Sequence, residues 1–215
     1  MDFYCERIND NFFNEPINTI SNIFFVFVSI YTYRIIKKNR LNKINYLFPF
    51  LIFMIGVGSF FFHLKPNHIT LLMDAIPILL FSILFIYIFN RNELKLNQTF
   101  NILVIIIYLL LFVLISPKIN FDFLNGSEFY LANYLVLSFY CIVLKYKNSK
   151  RLKILFFAFI LFNISLIFRT IDNFICEKFI WGTHYFWHLI NAYLLQILTY
   201  IVLQIKPNYL RKIKI

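Results

Sequence analysis

Residues 69–90 read ITLLMDAIPILLFSILFIYIFN, a stretch whose only charged side chain is Asp74. A helix needs about 20 mostly apolar residues to cross the roughly 30 Å hydrocarbon core of a bilayer. Lipid offers no hydrogen-bond partner to an open backbone, so a run of this kind has to be helical. Six more runs qualify on either side of it, at about 17–36, 45–64, 99–116, 129–145, 153–170 and 183–205. The expectation is an all-α integral membrane protein, a bundle of seven transmembrane helices. It forms a single domain over 1–215, with an N-terminal segment at 1–16 and a basic tail at 206–215.

Composition excludes the soluble alternatives. The chain of 215 residues is 60% hydrophobic, 21% aromatic and 14% charged, whereas soluble domains run near half apolar and a quarter charged. Only 4 Gly and 6 Pro are present, so no stretch reads as a linker. Pro49 and Pro77 lie inside spans, where a proline is a candidate for a kink. The net charge of +11 does not point to nucleic acid, because the basic residues fall in short clusters between apolar runs rather than along a stripe. The segment before the first span is acidic (Asp2, Glu6, Asp10, Glu15). That is the reverse of a signal peptide's basic start, so the first span is expected to persist and to act as the insertion signal.

The basic residues also set an expected orientation. Loops 1–2, 3–4 and 5–6 and the tail hold 16 Lys and Arg; the other side holds 5, namely Arg7, Lys65, Lys118, Arg169 and Lys178. The C-terminus is therefore expected in the cytoplasm and the N-terminus outside. The acidic residues agree: only Glu93 falls on the basic side, and Asp74 lies within a span. In a bacterium the membrane would be the plasma (inner) membrane.

Ionisable groups inside a bilayer are expensive, so each is a candidate functional residue. Ser59 and His63 end the second span at i,i+4 spacing, on one helix face. Asp74 follows His63 by 11 residues across a short turn, so the two can face each other. His184 and His188 form an HxxxH at the start of the seventh span, again on one face. Two histidines one turn apart plus a third from another helix make three nitrogen ligands with the fourth position open. That is the layout of a catalytic zinc site, where the metal activates water. A nearby carboxylate such as Asp74 can act as general base, and a hydroxyl such as Ser59 can donate to an oxyanion.

Each residue alone has a plainer explanation. An isolated HxxxH often only bonds to neighbouring helices. A serine in a span usually bonds back to its own helix. A buried aspartate can be a proton relay. Five such groups at one depth on three helices favour a site. His68, in the turn between spans two and three, is expected to be a solvated loop residue. The N-terminal oxygen-rich cluster, Asp2, Glu6, Asn9, Asp10, Asn11 and Glu15, suits a hard cation such as calcium. From spacing alone a solvated acidic arm is the preferred explanation.

Several ordered stretches resemble the alkaline ceramidase family. They are Tyr4-Cys5-Glu6-Arg7, Glu15 through Thr19 with Ser21-Asn22, Gly58 through His63, Asp74-Ala75-Ile76-Pro77, Phe168 through Asp172, and His184 through His188 with Asn191. The wording Cys-Glu-Arg and Gly-Thr-His is closer to the bacterial branch, in a superfamily that also holds progestin and adipoQ receptors. The resemblance implies a seven-helix bundle with zinc on His63, His184 and His188, and Ser59 and Asp74 beside it. It implies calcium on Glu6 and Glu15, with Asp2, one step out of register, and Asn9 as the nearest further ligands. Asn18, Arg169 and Asp172 match family positions, with a structural role as the alternative.

The implied function is a zinc-dependent hydrolase that splits the N-acyl amide of a ceramide-like lipid delivered by the membrane. Two rivals stay open: a receptor or scaffold with structural zinc, and a hydrolase of a different lipid bond. Of the three cysteines, Cys141 lies within the fifth span, where a thiol packs as a small hydrophobe. Cys5 and Cys176 are both expected outside, an oxidising side, and the resemblance implies that they pair; two unpaired thiols are the alternative.

Overall fold

The computed structural model describes residues 4–8, 12–118 and 121–205. Among these it is helical throughout, with no strand. The helices are α1 (Pro16–Ser21), α2 (Ile23–Lys38), α3 (Leu47–Leu64), α4 (His68–Phe89), α5 (Gln98–Leu110), α6 (Leu131–Tyr146), α7 (Leu152–Ile171) and α8 (His184–Val202). Short 3₁₀ or π turns extend several of them. Seven resulting segments are long and apolar enough to cross a membrane: Pro16–Lys38, Lys43–Leu64, His68–Leu94, Gln98–Ile115, Ser127–Tyr146, Leu152–Ile175 and His184–Val202. The protein is a multi-pass membrane protein.

These bounds match the expected spans to within a few residues. The third and sixth run further, through a π turn at Asn90–Leu94 and a 3₁₀ turn at Asp172–Ile175. The first is interrupted at Asn22. There a polar run, Asn18, Thr19, Ser21 and Asn22, is buried in the protein rather than turned to lipid. Pro49 sits in the first turn of α3, where its missing N–H removes no helical bond. His68 opens α4 and is exposed.

The reversal between α3 and α4 decides where the chemistry can lie. Asn67 accepts from Ile69 N at 2.9 Å and Thr70 N at 3.0 Å, while Thr70 Oγ1 accepts from Asn67 N at 2.9 Å. This reciprocal cap starts α4 directly after α3. The two helices then touch backbone to backbone at Gly58, where a Cβ would collide with the Met73 carbonyl. Glycine is what allows α4 to bring Asp74 alongside Ser59.

Helix α8 is the hub. Its apolar window is 67% buried, against 11% for the span built on α5, so α5 is peripheral while α8 packs on α1, α2, α3, α4 and α7. Phe27, Ile30, Leu72, Ile76, Ile106 and Phe139 are exposed apolar side chains of the kind a lipid-facing surface needs. At the end away from the N-terminal segment, Tyr140 donates to Asn90 at 2.8 Å, Asn90 to Asn101 at 3.0 Å and Asn101 to the Tyr87 carbonyl at 3.0 Å. This fully buried relay ties α4, α5 and α6 together. Glu93, the lone acid among the basic loops, pairs with Arg151 at 2.7 Å.

Candidate metal centre

His63, His184 and His188 come together at one end of the bundle, all three 1% exposed. A ligand nitrogen of each lies within 4.8 Å of the others. His63 Nε2 and His188 Nε2 are 3.1 Å apart, close to the about 3.3 Å edge of a tetrahedron with metal–nitrogen bonds of about 2.0–2.1 Å. The outer nitrogens of these two rings are taken. His63 Nδ1 is 2.5 Å from Glu15 Oε2, and His188 Nδ1 is 2.6 Å from Ser21 Oγ. Such partners fix ring orientation and leave Nε2 facing inward. The set fits a metal ion, and nitrogen donors of this kind suit a borderline ion such as zinc.

His184 is held differently. Its ring stacks on Tyr4 at 3.7 Å between centroids. Its backbone N–H donates to Asp172 Oδ1 at 2.9 Å, and the same carboxylate accepts from Thr183 N at 2.5 Å and Cys5 N at 2.8 Å. Asp172 thus caps α8 from the end of α7. Gly182 lets it in: with φ of +60° and no Cβ, it passes against the Asp172 carboxylate.

Ser59 is buried, with Oγ 3.5 Å from His188 Nε2. Asp74 is half-buried and lines the same cavity as Ser59. Both open on a cavity of about 80 Å³ that also meets His184 and His188. Below them its wall is mostly apolar, including Ile78, Phe81, Phe85, Leu194 and Leu198. Arg169 lines the same cavity. Its guanidinium lies 5.4, 5.5 and 5.6 Å from the ring centres of Tyr4, Tyr130 and Trp187, and donates to the Tyr4 hydroxyl at 2.7 Å. These are cation–π distances.

The N-terminal segment is stapled over the centre. Cys5 and Cys176 are bonded, with Cα atoms 5.1 Å apart. Glu6 Oε1 accepts from Ile17 N at 2.6 Å and Oε2 from Asn18 N at 2.9 Å, capping α1 behind Pro16 at its first turn. Burial pushes the Glu6 carboxyl up despite those two donors. Glu15 receives Arg7 Nε on Oε1 at 2.6 Å, and His63 and Asn18 on Oε2. Burial would raise its carboxyl too, but His63 and Arg7 outweigh that and hold it below the usual range. A calcium ion wants six to eight converging oxygens. Here all four carboxylate oxygens serve protein donors, one of them a guanidinium. Asp2 and Asn9 lie outside the described residues. Of the expected calcium ligands the described residues therefore include only Glu6 and Glu15, each engaged with protein donors.

In the sequence Ser21, Tyr4 and Arg7 stand out only as members of stretches that resemble the family, with no role assigned; in the structure they position the three rings. The polar run at 18–22 inside an apolar span is the one local sign that this stretch faces a site.

A multi-pass helical bundle with a buried three-histidine centre beside a largely apolar cavity defines a class: membrane proteins able to hold a metal next to an apolar pocket. Within that class the chain belongs to the ceramidase family, whose family model, described as Ceramidase, matches residues 4–211. No curated protein matches the chain significantly.

Proposed function

We propose that this protein is a zinc-dependent amidohydrolase of the membrane that cleaves the N-acyl bond of a ceramide-like sphingolipid to a sphingoid base and a fatty acid. The observation that carries the reading is the placement of Ser59 and Asp74 between the three histidines and the apolar cavity. A purely structural metal would have no use for either side chain.

When bound by His63, His184 and His188, zinc supplies Lewis acidity and a nucleophile drawn from water near neutral pH. The chain does the rest. The cavity takes the acyl chain and sets the amide carbonyl beside Ser59. The Ser59 hydroxyl donates to the carbonyl oxygen as it gains charge. The Asp74 carboxylate accepts the proton of the attacking water and returns it to the amide nitrogen, which leaves as the amine. Glu15 and Ser21 keep the imidazoles of His63 and His188 turned inward throughout. The proposed orientation puts this end of the bundle outside, following the 16 to 5 split of basic residues.

The test is purified protein, with and without a zinc chelator, offered a panel of N-acyl and O-acyl lipids, with released fatty acid as the readout. Chelator-sensitive release from ceramides is expected. Release from O-acyl lipids alone would replace the amide with an ester. No release from any lipid by zinc-loaded protein would leave a non-hydrolytic family member and refute the proposal.

A further inference from the structure

The wall of the cavity is not apolar all the way down. Ser82 of α4, Tyr108 of α5 and Asn133 of α6 all line it. Tyr108, 1% exposed, donates its hydroxyl to Asn133 Oδ1 at 2.7 Å. Ser82 lines the cavity with Tyr108 and donates to its own helix at the Ile78 carbonyl, 3.0 Å away. Among the described residues the carboxamide nitrogen of Asn133 has no acceptor.

Polar groups between membrane helices usually serve as glue, and this protein shows what its glue looks like. In the Asn90, Asn101 and Tyr140 relay every side chain is 0% exposed, each amide nitrogen has an acceptor, and none of the three lines the cavity. The Ser82, Tyr108 and Asn133 cluster differs on each count that matters to a ligand. It lines the cavity, and among the described residues the amide nitrogen of Asn133 has no acceptor.

Its depth is also informative. Ser82 follows Asp74 by eight residues on α4, a rise of about 12 Å. An extended chain of single bonds advances roughly 1.1–1.2 Å per bond, so that distance is about ten bonds. We propose that Ser82, Tyr108 and Asn133 form a subsite for a hydroxyl group carried about midway along the lipid's acyl chain. The hydroxyl oxygen accepts from Asn133 Nδ2, and its proton goes to the oxygen of Ser82 or Tyr108. An unsubstituted chain leaves the Asn133 donor unpaired against methylenes, which is the basis of discrimination. The proposal rests on the lipid-hydrolase reading for the identity of the chain, but a direct binding measurement tests it separately.

The experiment measures the Kd of three free fatty acids for zinc-loaded protein in detergent: octadecanoate, 2-hydroxyoctadecanoate and 10-hydroxyoctadecanoate. The 10-hydroxy acid should bind on the order of 10-fold to 100-fold tighter than the other two, the effect of one or two buried hydrogen bonds. Asn133→Leu should abolish that preference. Since it strands the Tyr108 hydroxyl, the Tyr108→Phe/Asn133→Leu double variant, which removes both partners, should fold and show the same loss. Equal binding of all three acids by the wild type would overturn the subsite, as would a preference that survives in the double variant. Equal binding together with intact ceramide hydrolysis would sink the subsite alone. Preserved preference without hydrolysis of any lipid would sink the hydrolase reading alone.

Discussion

Replacing Asp172 tests how the three-histidine centre is held from outside itself. The first N–H groups of any helix lack intrahelical partners. At α8 the N-cap residue, Thr183, does not supply one, because its hydroxyl donates instead to the Phe168 carbonyl at 2.6 Å. Asp172 does, with Oδ1 on Thr183 N and His184 N and Oδ2 on Cys5 N. It is 1% exposed, so water does not readily replace it. Asp172→Ala strands three buried donors at about 1–3 kcal/mol each, a total of at least about 3 kcal/mol. Asp172→Asn keeps an oxygen for Thr183 and His184 and sets an amide NH₂ against Cys5 N, a loss of about 1–3 kcal/mol. For a chain of this length 1 kcal/mol corresponds to about 2–4 °C, so Asp172→Ala should melt at least about 6 °C below wild type, with Asn between. The first turn of α8 carries His184, so metal content should fall in the same order. The assay is thermal unfolding in detergent alongside metal per chain at matched purity. Equal melting and equal metal content in all three proteins would refute the claim that Asp172 holds this turn.

His188→Ala should lose most of its zinc while His68→Ala keeps it; a fully loaded His188→Ala protein would break the ligand assignment. Asp74→Asn should retain zinc and lose on the order of 10²–10⁴ in rate with its general base, and wild-type turnover by that variant on a ceramide would exclude the mechanism. Ser59→Ala should also retain zinc, with its loss in kcat rather than KM. Reporter domains fused after Lys95 and after Ile215 should both report cytoplasm, and either one reporting the outside would overturn the orientation.

The spans were readable because lipid as a solvent demands length and apolarity together, and 69–90 has both. The three histidines, Ser59 and Asp74 were readable because charge and imidazole are rare at that depth, and because i,i+4 spacing fixes a face before any packing is known. What holds them was readable only in part: the resemblance implied the Cys5–Cys176 bond, which the structure contains, but not the contacts made to the rings. Ser21 meets His188, and Cys5 meets Asp172, across 167 residues of sequence. No local pattern encodes a contact of that range. The break at Asn22 was missed for a related reason: hydropathy averaged over a span hides four polar residues that turn inward together.

The cavity was hidden by its own chemistry. Phe81 in its wall and Leu80 facing outward are equally apolar, so in a membrane protein hydrophobicity does not separate inside from outside as it does in water. Polar residues carry that information instead, since each must find a partner or face a polar guest. Asn90 and Asn133 are the same residue type in the same kind of span, and composition gives them one meaning. Their surroundings give them two: Asn90 has an acceptor for its amide and is fully buried, while Asn133 lines the cavity and, among the described residues, has no acceptor for its amide nitrogen. By that reasoning the proposed preference among lipids is written less in the many phenylalanines than in one asparagine of the cavity wall.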